Sequence, residues 1–176
     1  MVSMSTLRIV FPFLMAAACA CAQDKPEFAM GWVPEFHVTA RQVVQLAEAM
    51  PASKYGWRPA DGVRSVSEVY MHIAIAHFFF LRTCGVEVDM SKLARDAEKK
   101  IVAKDDVVKF LKESIAAVDA NYPKLDLHKK VKFQGADTTV EGVMIHLLAH
   151  TSEHMGQSVA YARMNGVVPP WSEPSK

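Results

Sequence analysis

The chain has 176 residues, 51% of them hydrophobic, and a formal net charge of +1, which suits a single domain with a proper core. Acidic and basic side chains are interspersed, so the sequence carries no electrostatic footprint for nucleic acid, and the short runs Lys99-Lys100 and Lys129-Lys130 read as solvated surface. With only Cys19, Cys21 and Cys84, the chain is no disulfide scaffold.

Residues 1–22 hold Arg8 as their only charge, an apolar run from Ile9 to Ala18, and a small-residue end, Ala20-Cys21-Ala22. That is the pattern of a secretory signal peptide cleaved after Ala22, and it predicts an exported protein, periplasmic or secreted. A lipid anchor on Cys19 or Cys21 is the rival reading; it is disfavoured because Leu14 lies too far upstream of either to form a lipobox. The apolar run is too short for a transmembrane helix, and no later segment is long and uncharged enough to be one. Removing the leader takes away the charge of Arg8, bringing the formal net charge from +1 to zero, and leaves Cys84 without an intramolecular partner. The expected layout is a leader over 1–22, an extension over 23–33, a helical domain over 34–170 and a tail over 171–176.

Four long helices are predicted. The first runs from about Pro34 to Met50 with Val38, Val43, Val44, Leu46 and Ala47 as its apolar face, and Pro51 ends it. A turn-rich stretch, Tyr55 to Gly62, leads to Ser65-Val66-Ser67-Glu68, a capping-box pattern that opens the second helix; Gly85 is its stop after Cys84. Residues 86–104 are weakly patterned and charged, a long loop with room for a short helix around 91–97. The third helix spans about Asp105 to Tyr122, with Val107, Val108, Phe110, Leu111, Ile115 and Val118 at helical spacing. After Pro123 the chain is irregular or briefly extended to Gln134. A second capping-box pattern, Thr138-Thr139-Val140-Glu141, opens a fourth helix that reaches Asn165, about 39 Å long at 1.5 Å per residue, with Gly166 beyond its end. The fold class expected is all-α, a four-helix bundle with a long connection between helices 2 and 3.

The chemistry lies in a histidine stripe on the fourth helix, His146, His150 and His154. Four-residue spacing stacks two imidazoles one turn apart, where both can reach one divalent ion. A bare pair of this kind is equally compatible with satisfied core or surface histidines. His72 lies within the apolar pattern of the second helix, so a site shared by two helices is available. His77, five residues on, falls about 140° around the helix, so only one of the two faces a given inward site. His146 reads as a supporting partner, a fourth ligand or a core residue, while His37 and His128 stay unassigned. Cys84 is about 18 Å from His72 along the helix axis and cannot complete a site there.

Trp57-Arg58-Pro59, then Ser65-Val66-x-Glu68, His72, and late in the chain His150-x-x-x-His154-x-Gly156-Gln157, together resemble the DinB/YfiT-like superfamily of metal-binding four-helix bundles. The resemblance runs from about Glu35 to Pro170. It implies that His72, His150 and His154 bind one divalent metal ion, commonly zinc, nickel or iron. The chain departs from the family's common H-x-x-H-H-R-G-Q form in carrying Glu153 and Met155 around the last ligand. Gly156 has a packing explanation, since a glycine inside a helix admits a closely approaching neighbour, and Gln157 either hydrogen-bonds near the site or faces a neighbouring helix.

Three neutral imidazoles leave a coordination position open, the arrangement of catalytic rather than structural metal sites, where a water or a thiol is activated. The resemblance implies thiol-dependent transferases and isomerases as one class; because their thiols are cytosolic, export weakens that reading and leaves hydrolysis or another activity open. Glu153 is a candidate catalytic residue, since His150 to His154 also fits H-x-x-E-H. A metallopeptidase of that pattern needs a further downstream ligand, and Glu173 is the sole carboxylate after His154. The expectation is a metal-dependent hydrolase or thiol transferase acting on a small molecule; the alternative is a non-catalytic metal-binding or interaction module. Trp57, Phe78, Phe79, Phe80 and Tyr161 are candidate pocket aromatics. Relatives are often dimers, so a homodimer is an expected state.

Overall fold

The structure is a computed structural model that describes residues 31–94 and 96–172. The leader, most of the N-terminal extension and the last four residues of the tail lie outside the described residues.

Four long helices form the body: α1 (Trp32–Ala49), α2 (Val66–Thr83), α4 (Lys104–Asn121) and α5 (Val140–Met164). A one-turn helix, α3 (Ala97–Lys100), interrupts the long α2–α4 connection. Packing runs in a ring, α1 against α4, α4 against α2, α2 against α5 and α5 against α1. Every long helix therefore has two side neighbours and a diagonal partner, the arrangement of a four-helix bundle.

The helix boundaries follow the chemistry of their ends. At the start of α2 the Ser65 side chain accepts from the Glu68 N–H, and the Glu68 carboxylate accepts from the Ser65 N–H at 2.6 Å, so the expected capping box forms. Arg58 Nη2, 3.1 Å from the same carboxylate oxygen, ties the preceding turn to this cap. Gly85 follows α2 at φ 95° and Gly166 follows α5 at φ 74°, the left-handed conformation that releases a chain from a helix.

Three sequence expectations are corrected. The buried face of α1 is Phe36, Thr39, Ala40, Val43, Leu46 and Ala47, a continuous i, i+3, i+4, i+7 stripe that leaves Val38 and Val44 on its flanks. The short helix expected around 91–97 is split into a 3₁₀ turn, Met90–Leu93, and α3. The pattern at Thr138 forms no capping box, because residues 130–139 build a hairpin, β1 (Lys130–Phe133) and β2 (Ala136–Thr139), that runs into the helix. Thr139 is the cap and accepts from the Gly142 N–H at 3.2 Å, while the Val140 and Glu141 N–H groups donate to the Lys129 and Leu127 carbonyls. Gln134 and Gly135 turn the hairpin, both at positive φ, as a two-residue turn between twisted strands requires.

The core is two apolar clusters separated by a polar layer. One cluster gathers Val43, Ala47, Met50, Val69, Tyr70, Ile73, Val107 and Leu111; the other gathers Phe36, Ala40, Phe80, Leu81, Val118, Val143, Met144 and Leu147. Between them His77 is fully buried, its Nδ1 3.0 Å from Ser114 Oγ on α4 and its Nε2 3.0 Å from Thr151 Oγ1 on α5. The ring also meets Phe36 of α1 edge-on, at 5.6 Å between centroids. Both hydroxyls have a second partner, the Leu111 carbonyl for Ser114 and the Leu147 carbonyl for Thr151. A neutral imidazole has one N–H. One hydroxyl thus accepts from the ring and keeps its carbonyl bond, and the other donates to the bare ring nitrogen.

Burial pushes the His77 pKa down to about 3. The native state refuses a proton that the unfolded chain binds near pH 6.5, so this contribution to stability is whole above pH 6.5 and drains as pH falls towards 3. Unfolding of the parent and of His77→Leu, followed by urea titration from pH 7 to pH 4.5, is predicted to show a shallower acid loss in the variant, by as much as about 1.4 kcal/mol per pH unit. Parallel pH profiles would remove His77 as the source of acid sensitivity.

Candidate metal centre

Because α2 and α5 are side neighbours, the polar faces they turn to one another meet. His72 comes from α2, and His150 and His154 come from successive turns of α5. One ligand atom from each lies within 4.8 Å of the others, and these three are the residues that converge as a possible metal-holding group among those described. Ring centroids are 5.0 Å apart for His72 and His150, 4.8 Å for His72 and His154, and 4.5 Å for His150 and His154.

Neighbouring side chains decide which nitrogen is bare on two of the rings, His72 and His154. His72 Nδ1 is 2.8 Å from Glu98 Oε1, and an ionised carboxylate only accepts, so Nδ1 carries the proton and Nε2 presents its lone pair. His154 Nδ1 is 2.8 Å from Gln157 Oε1, while the Gln157 amide nitrogen donates to Tyr161 Oη at 3.0 Å and Tyr161 donates to the Arg64 carbonyl at 3.2 Å. That chain orients the glutamine and leaves His154 Nε2 bare in the same way. His150 Nε2 sits 3.1 Å from His72 Nε2, and its Nδ1 is buried without a partner among the described residues.

One pair of the triad, His72 and His150, already has the spacing that a shared ion requires. Two imidazole nitrogens bound tetrahedrally to one zinc-sized ion stand about 3.3 Å apart, given bonds of about 2.0–2.1 Å. The Nε2–Nε2 separation of 3.1 Å is close to that. Burial, opposed by the bond to Glu98, lowers the His72 pKa below the ordinary histidine value; burial and the adjoining His154 and His72 rings push that of His150 down to about 3. Both rings are therefore neutral near pH 7, the form that coordinates metals. Arg64 adds to both depressions, and its Nε donates to Glu98 Oε2 at 2.9 Å. His72 keeps 24% of its side chain exposed, so the centre is reachable from solvent.

The other candidates fall elsewhere. His146 is exposed and lies against Phe133 and Phe80, at 5.0 and 5.5 Å between centroids, so it is neither core nor one of the converging set. His77 belongs to the core layer. His37 pairs with Asp119 at 2.9 Å on the surface, and His128 is exposed. Cys84 is buried, its Sγ 3.9 Å from Met144 Sδ, and burial raises its thiol to about 11. Glu153 is exposed and outside the converging group. Of the aromatic candidates, Phe80 packs against His150 at 5.6 Å and Tyr161 orients Gln157, with Trp57 edge-on to it at 5.3 Å. Phe78 turns to Phe110, and Phe79 is 46% exposed. Glu98 and Arg64 escaped the sequence reading, because a carboxylate in the charged stretch Asp96-Ala97-Glu98-Lys99-Lys100 looks like any solvated one.

The DinB superfamily profile matches residues 35–158, most of the chain. The chain belongs to the DinB superfamily. Among solved structures, a DinB-like protein from Bacillus cereus superposes with a TM-score of 0.66 at 15% identity, covering 79% of this chain and 93% of that one. At that identity the likeness speaks for the fold, and the all-α bundle expected from the sequence is the one observed. No curated protein sequence matches the chain.

In this DinB-superfamily chain the glycine of the His154-x-Gly156-Gln157 motif does not serve helix packing. Gly156 is exposed, and a Cβ built there meets nothing within 4 Å, which corrects the expectation of a closely approaching helix. Gly156→Ala is therefore predicted to stabilise the fold by about 0.4–1 kcal/mol through helix propensity and a less flexible unfolded chain. A lowered urea midpoint for Gly156→Ala would show that the position is sterically constrained after all.

Proposed function

We propose that the chain is an exported metal-dependent enzyme, of hydrolase or thiol-transferase type, that holds one divalent ion on His72, His150 and His154. What carries the reading is the set of fixed tautomers: Glu98 and Gln157 occupy the Nδ1 atoms of His72 and His154, leaving Nε2 lone pairs directed at one region. Three imidazole nitrogens suit zinc, nickel or iron. When bound, such an ion supplies Lewis acidity to a water or thiol donor.

The protein's own residues do the rest. Glu98 holds the His72 proton and Arg64 holds Glu98, while Tyr161 keeps the Gln157 carbonyl on His154. Hydrolysis is the preferred chemistry, because a signal peptide over 1–22 would carry the protein away from cytosolic thiols. A purely structural ion is the weaker reading: the core is closed by two apolar clusters and the His77 layer, and the triad lies beside them with one side open to solvent.

Elemental analysis of the purified protein is expected to give about one equivalent of zinc, nickel or iron, falling to a small fraction in His150→Ala. Near-full occupancy in that variant would sink the triad. Replacing Glu98 with alanine is predicted to weaken metal affinity about 10–100-fold through loss of the His72 support. On ester, amide and thiol-transfer substrates, turnover should vanish on chelation while the circular dichroism stays helical; loss of the helical signal together with no turnover would favour the structural ion. Export predicts an N-terminus at Gln23 in the periplasmic or secreted protein; an intact Met1 there would contradict it.

A further inference from the structure

The cleft beside the triad carries more positive charge than its own carboxylates consume. It has a volume of about 620 Å³, and Arg58, Arg64, Lys99, Glu68, Glu98 and Gln157 line it. It adjoins the metal centre through shared residues, since Glu98 and Gln157 are the groups bonded to His72 and His154. Both carboxylates are committed. Glu98 gives one oxygen to His72 and the other to Arg64 Nε, and Glu68 is engaged by the Ser65 N–H and Arg58. Gln157 spends its amide on His154 and Tyr161. Among the described residues the Lys99 ammonium and the two terminal nitrogens of Arg64 have no hydrogen-bond or ion-pair partner. Three cations face two carboxylates, a formal excess of one positive charge.

We propose that this cleft anchors the anionic group of a small-molecule substrate, a carboxylate or phosphate bound by Arg64 and Lys99, with the rest of the molecule lying beside the triad. The inference rests on the reading of the triad as the reaction centre. A guanidinium edge and an ammonium are the donors that carboxylates and phosphates take, and neither cation must give up another partner to bind one. Because both are open to solvent, affinity for a bare anion is modest and falls with salt.

The test is calorimetric titration of the purified protein at low ionic strength with inorganic phosphate and, separately, with succinate. It is run on the parent, His150→Ala, Lys99→Gln and Arg64→Gln, each checked for helical circular dichroism and metal content. Saturable millimolar binding is expected in the parent and in His150→Ala, weakened at least fivefold in Lys99→Gln and Arg64→Gln, with the tighter of the two anions naming the substrate's group. A loss confined to one of these two variants assigns the contact to that residue and keeps the site. Absence of binding by either anion, or binding that is lost in His150→Ala and unchanged in both cleft variants, overturns the proposal. Metal content read on the same samples separates this outcome from failure of the triad itself: full occupancy with no anion binding removes the anchor alone.

Discussion

The bundle is organised around a buried histidine with a partner on every other long helix. His77 of α2 bonds Ser114 of α4 and Thr151 of α5 and stacks edge-on against Phe36 of α1. Apolar helices can slide or rotate past each other at little cost, because one methyl contact resembles the next. A pair of directed bonds to a buried imidazole has one solution, and any slip leaves a polar atom unpaired at about 1–3 kcal/mol. Thr151 follows His150 directly, and His77 lies five residues after His72. The bond that fixes α2 against α5 thereby also fixes the approach of His72 to His150, 3.1 Å between their Nε2 atoms.

Around the triad a second layer of side chains does for two of the three rings, His72 and His154, what His77 does for the helices. Glu98 from α3 and Gln157 from α5 hold protons on the Nδ1 atoms, and Arg64 and Tyr161 hold those two residues in turn. Burial keeps His72 and His150 neutral, as coordination requires, and the Arg64 charge works in the same direction. His150 alone of the three lacks such a support, its buried Nδ1 having no partner among the described residues. On its far side the ring is held by packing against Phe80. The sequence stretches around the centre thus differ in purpose: α2 and α5 bring the donors, and the long α2–α4 connection brings the carboxylate that sets one of them.

Much of the frame was legible because it rests on local rules. The capping box at Ser65 and Glu68, the glycine stops at Gly85 and Gly166, and the 3.6-residue stripe of α4 are short-range signals, and with the proline after α1 they placed four helices within a few residues. The hairpin before α5 was not legible, because Gln134-Gly135 is a weak turn signal and its strands are four residues each. The apparent capping box at Thr138 gave way to it because backbone bonds from Leu127 and Lys129 already satisfy the first N–H groups of α5. At the centre, i, i+4 spacing and the family resemblance brought out the three histidines that the structure gathers. Glu98 and Arg64 were hidden because their roles come from tertiary placement across 26 and 34 residues of sequence. His77, judged from helical geometry to face away from His72, has a core role that depends on Ser114 and Thr151, which no local pattern connects.

Glu98 and Gln157 leave Nε2 bare on His72 and His154, Phe80 packs against His150, and the proposed function rests on a single ion held by all three imidazoles. X-ray absorption fine structure at the metal edge of the zinc-loaded protein reads that directly. The account predicts three imidazole nitrogens at about 2.0–2.1 Å, with the outer-ring scattering of coordinated imidazole and one further light-atom donor. A sulfur shell near about 2.3 Å, or a first shell of oxygens without imidazole scattering, would contradict it.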